Sequence, residues 1–140
     1  MRKTLLILLP LYLFTVSLNA QDALSCSDFR EGTFVVPGSD TIPSTTIVRK
    51  GNQQTEILNF NGVIEESIIN LSWIDDCSYT IVFSKETPPV NVEMTEEEIN
   101  MIITVTMISF EGNCATFQAE GNGRAKGHVI TGKICKEESI

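Results

Sequence analysis

The chain has one histidine, one tryptophan and only ten basic residues among its 140, and no two of its four cysteines are close neighbours. Each shortage excludes something. The lone His128 has no evident Ser or Cys partner, so no nucleophile–base pair is visible and His128 reads as a surface or edge-strand residue. Cysteines this far apart cannot form a C-x-x-C zinc knuckle, and His128 is not spaced as a fifth donor. No G-x-S-x-G elbow, P-loop, G-x-G-x-x-G or H-E-x-x-H occurs. Gly121-Asn-Gly-Arg124 has a suggestive glycine spacing but opens no helix, so it is not read as a phosphate cradle. Ten basic residues against 18 acidic ones disfavour nucleic acid and anionic membrane surfaces. Beyond residue 20 no apolar run is long enough to span a bilayer. These absences predict no enzyme, no cofactor and no metal; a hydrolase is kept only as a remote alternative.

What is present begins with the N-terminus. Met1-Arg-Lys, an apolar run from Leu5 to Leu18 and the small Ala20 before Gln21-Asp22 describe a secretory signal peptide over residues 1–20. The expected product is one domain, 21–140, exported to the periplasm or secreted. An alternative is a lipid anchor on Cys26, since Ala23-Leu24-Ser25 partly resembles a lipobox. Cleavage after Ala20 removes Arg2 and Lys3, leaving eight basic against eighteen acidic residues and a net charge of −10. Such a charge keeps an exported protein soluble. Cys26, Cys77, Cys114 and Cys135 all follow the signal, and four cysteines in an exported chain predict two disulfides with three possible pairings.

The remainder alternates apolar and polar residues with period two, broken by turn signals, which is the pattern of half-buried strands. Expected strands are 33–36, 45–50, 54–60, 63–74, 78–84, 102–110, 114–120 and 128–136. Asn61-Gly62 is the strongest hairpin signal, because a type I′ turn needs positive φ at both central residues. The hairpin around Asp75-Asp76 is central: Ile69, Leu71 and Trp73 precede the turn on one face, and Cys77, Tyr79, Ile81 and Phe83 follow it. The two aspartates read as turn formers rather than an acid–base pair. Residues 85–98, with Pro88-Pro89, form the longest loop. Thr95-Glu-Glu-Glu98 within it fits a capping box, which is preferred to a cation site for Glu96, Glu97 and Glu98. The fold class is all-β: a small antiparallel meander of about eight strands closing into a barrel, with a β-sandwich as the alternative.

Cys26-Ser-Asp-Phe29, Gly32-Thr-Phe34, Trp73-Ile-Asp-Asp-Cys77-Ser-Tyr79 and the late Lys126-Gly127 resemble a family of short exported bacterial proteins of uncertain function. Its pattern is a Cys before an aromatic-Gly-x-Phe segment, then W-x-x-D-C-x-Y, then R-G or K-G before the last strand. The resemblance covers most of the chain after residue 20 and implies a lipocalin-like plan. Some members carry a topoisomerase name, which nothing in this small, acidic, exported chain supports. Together with the need to pin a fraying N-terminus, the resemblance implies a Cys26–Cys77 bridge. Cys114 and Cys135 lie outside the pattern; their pairing is expected only from strand order, in a hairpin centred near Arg124-Ala125.

The function read from the chain is a non-enzymatic binding or interaction module, with a small apolar ligand as the possible cargo. An envelope-associated structural protein, contacting a partner through a strand edge or the Pro88-Pro89 loop, is the alternative. If the barrel holds a cavity, Phe34, Trp73, Tyr79, Ile81, Phe83 and Phe117 are its expected wall. The competing expectation, and the preferred one, is that these side chains fill a solid interior, as in many small barrels.

Overall fold

A computed structural model describes residues 24–39, 43–85 and 94–137. The signal segment, the 21–23 junction, Pro88-Pro89 and the end of the tail lie outside the described residues. Eight antiparallel strands, each hydrogen-bonded to the next, close into one barrel: β1 (Gly32–Val36), β2 (Thr45–Lys50), β3 (Gln53–Phe60), β4 (Val63–Trp73), β5 (Ser78–Phe83), β6 (Ile103–Glu111), β7 (Cys114–Gly121) and β8 (Val129–Lys136). A sandwich is thereby excluded. The expected strands stand within a residue at most ends; β8 starts at Val129 rather than His128, and β4 stops at Trp73.

Local chemistry explains the turns. Asn61 (φ 53°) and Gly62 (φ 83°) both take the left-handed backbone that joins β3 to β4. At the β4–β5 turn, Asp75 Oδ1 accepts the amides of Cys77 at 2.8 Å and Ser78 at 2.7 Å. These bonds, the Cys77 amide first, hold its carboxyl below the usual range. The expected capping box is present: Glu98 Oε2 accepts the Thr95 amide at 2.7 Å and opens the one-turn helix α1 (Glu96–Ile99).

Alternation then decides what is inside. Phe34, Ile47, Leu71, Tyr79, Val105, Met107, Ala115, Ala119 and Ile134 are buried and form one core. A β-bulge interrupts β6: Met107 pairs with Phe117 but Ser109 with Thr116, leaving Ile108 unpaired. The extra residue puts Met107, which is buried, and Phe110, which stays exposed at the barrel rim, on the same face as their partners Phe117 and Ala115. Phe110 thereby comes to 5.9 Å from Phe29, ring to ring.

Phe29 belongs to the 3-10 segment Cys26–Phe29, which plugs one end of the barrel. It is fully buried and stacks on Phe34 at 5.4 Å. Two disulfides hold this end: Cys26–Cys77 ties the plug to the β4–β5 hairpin, and Cys114–Cys135 joins directly opposed residues of β7 and β8. Both match the pairings expected from the chain, and two disulfides require a non-reducing setting. The barrel's seam is short. β1 meets β8 at only two register pairs, Phe34↔Lys136 and Val35↔Cys135. The opposite end carries exposed apolar residues on two strand starts and a loop: Val63, Ile64, Val129 and Ile130 on β4 and β8, and Ile102 just before β6.

A candidate ligand cavity in the barrel

The inward-facing set on each strand follows from parity. On β2 it is Thr45, Ile47 and Arg49; on β3 it includes Gln54 and Glu56, because Ile47 pairs with Glu56 and Arg49 with Gln54. Three polar side chains are thus carried into the barrel in phase with Ile47. On the other side β5, β6, β7 and β8 deliver Tyr79, Ile81, Ile103, Val105, Phe117 and Ile134. These groups do not meet. They enclose a cavity of about 220 Å³, with Val36, Thr45 and Ile130 towards the end away from the plug. Ile130 is 65% exposed, so the cavity reaches solvent there.

One glycine keeps it open. Gly132 faces Phe117 directly across β7–β8. A Cβ at Gly132 would lie 2.5 Å from Phe117 Cζ, far inside contact distance. The Phe117 ring therefore lies against the bare backbone of β8, and any side chain at position 132 must push it aside. An aromatic ring covering a glycine on the neighbouring strand is a known way of shaping barrels.

The floor of the cavity is polar. Arg49 is 3% exposed and Gln54 2% exposed. Arg49 Nε donates to Gln54 Oε1 at 2.8 Å, Nη1 to the Phe29 carbonyl at 2.8 Å, and Nη2 to the Tyr79 hydroxyl. Its guanidinium carbon lies 4.5 Å from the Tyr79 ring centroid and 5.5 Å from that of Phe34. Gln54 Nε2 in turn donates to Glu56 Oε1 at 2.8 Å. The cation and the carboxylate are linked through an amide and never touch. Burial pushes the Glu56 carboxyl above its ordinary range, against the pull of Gln54 and Arg49. Burial likewise raises the Tyr79 hydroxyl, against the attraction of Arg49.

The six expected wall residues divide. Tyr79, Ile81 and Phe117 border the cavity. Phe34 is fully buried under the floor, against Phe29. Trp73 packs at the plugged end, its ring 4.8 Å from Tyr79 and covered by Arg30 at 4.6 Å. Phe83 pairs with Ile69 and does not border the cavity. Against the preferred expectation of a solid interior, the plugged half is filled by the core, while the other half holds a hollow of about 220 Å³ open towards solvent. Arg49, Gln54 and Glu56 were not singled out from the chain. Their signal was the phase they share with Ile47 and Leu58, read as ordinary alternation.

Two surface hollows are larger, about 370 Å³ beside α1 and Asn122–Ala125 and about 350 Å³ beside Ile102 and Lys126. Neither encloses a buried charge, and the Glu97–Arg124 pair at the first is solvent-exposed. Among the described residues no three His, Cys, Asp or Glu side chains are grouped to hold a metal, and no helix is long and apolar enough to cross a membrane. No family model, curated protein or solved structure matches the chain.

Proposed function

We propose that this is an exported, non-enzymatic binding module that holds a small, largely apolar ligand in the barrel lumen. The observation that carries the reading is the unfilled lumen: a concave, mostly aliphatic chamber with a few converging polar groups at its base, the usual composition of a ligand site. The rigid scaffold favours it too, since a plugged and doubly cross-linked end holds the chamber's shape. Export is supported by the disulfides and by the signal-like N-terminus. The Cys26 sulfur is spent in its bridge to Cys77, which leaves no thiol for a lipid thioether, so a soluble module is preferred to the anchored one.

Native mass spectrometry of protein secreted by its own or a heterologous envelope tests the reading. A retained small apolar mass, released on unfolding and lost in Gly132→Ala, is expected. Ligand-free protein that also fails to take up hexanol would overturn it.

A further inference from the structure

Arg49 is a buried cation whose direct partners are all neutral: an amide oxygen, a carbonyl and a phenol. A guanidinium has five N–H groups, and these bonds use three, leaving two. Tyr79 is in a similar position. Its oxygen accepts from Arg49, so its own proton is free to be donated, and no hydrogen bond from it is formed to a described residue. Arg49 and Tyr79 are 3% and 4% exposed and both border the cavity. Three donors, one set of them cationic, therefore stand unspent beside an apolar chamber.

The nearest carboxylate does not satisfy them. Glu56 lies two register pairs nearer the open end than Arg49, and reaches it only through Gln54. From these placements we infer that the lumen takes a short-chain carboxylate, its oxygens accepting from Arg49 and Tyr79 and its tail lying along Ile81, Ile103 and Ile130. The inference rests on the lumen being a ligand site and adds the head group and its orientation. A planar carboxylate matches the guanidinium in shape and supplies the missing counter-charge. The tail is short because 220 Å³ is room for about seven water-sized groups at ~30 Å³ each.

Titration calorimetry of the disulfide-bonded protein with hexanoate, hexanol and hexylamine tests this, the three sharing a tail and differing in head. Hexanoate should bind about tenfold more tightly than hexanol, the effect of a charge-assisted hydrogen bond. Glu56→Gln removes the competing carboxylate and keeps the acceptor for Gln54, so hexanoate should tighten further. Arg49→Met should erase the preference for hexanoate while hexanol still binds. Hexylamine binding tightest, or hexanoate and hexanol binding equally, would overturn the head group while leaving the lumen reading intact. Hexanoate that does not tighten in Glu56→Gln would also overturn it, whether or not Arg49→Met folds. Failure of all three probes would overturn both readings.

Discussion

At the scale of single residues, the structure turns on contacts that alternation cannot reveal. Gly132 is the plainest. Gly132→Ala places a methyl inside the Phe117 ring, and that ring has only the lumen to move into. We expect a loss of about 1–3 kcal/mol, the usual effect of overpacking, together with a filled cavity; denaturant midpoints and ligand uptake measure the two. Trp73→Ala should cost about 2–3 kcal/mol, below the full truncation of a core aromatic, because Trp73 is only partly buried and much of its contact is with Arg30 and Tyr79. An unchanged midpoint would show that these contacts contribute nothing. Glu56 gives a pH signature. Its carboxyl is raised in the folded state, so just above the ordinary carboxylate range the folded form keeps a proton that the unfolded chain has released. Stability from this group is present in acid and falls as pH rises through that window. Asp75 and Glu98 are lowered and act oppositely, losing their contribution as pH falls. Glu56→Gln should therefore flatten the upper part of the stability–pH curve and leave the acid limb in place. Arg49 was hidden in the chain for a physical reason: nothing local distinguishes a strand arginine facing in from one facing out, and only its phase with Ile47 separates them.

Among the elements, strands and turns were legible because their signals are local. Asn61-Gly62 names its own turn, and the Asp75 amide bonds are made within three residues. The β-bulge at Ile108 was not read from the chain, although the apolar doublet Met107-Ile108 breaks the alternation of Val105 and Met107 and shifts its phase to Phe110; the bulge pairs Phe110 with Ala115 and leaves its ring 5.9 Å from Phe29. The Cys114–Cys135 bridge followed from hairpin centring alone and sits at the register pair expected. It also braces the short seam, because Cys135 pairs with Val35 of β1 as well. Replacing both cysteines by serine opens a 22-residue loop and should lower stability by about 3 kcal/mol in the chain-entropy account. It should also speed amide exchange most at Val35 and Lys136. Exchange that quickens evenly around the barrel would show that the bridge does not act on the seam.

For the whole molecule, closure was legible and the interior was not. Eight short, regularly spaced strands leave few ways to hide their edges, so a barrel follows from the pattern. Whether it is filled depends on side-chain volumes meeting across the lumen, and there the chain reads one way and the structure another. The same aromatics that could have filled it are drawn to the plug, where Phe29, Phe34, Trp73 and Tyr79 crowd around Arg49. The central claim is that the other half is a chamber open to small molecules. Methyl NMR of the isoleucines during a hexanol titration tests it most directly. The account predicts saturable shifts at Ile47, Ile81 and Ile103, which border the cavity, and none at the exposed Ile74 and Ile108. Shifts confined to Ile74 and Ile108, or no saturable shift at the three lumen methyls, would contradict it.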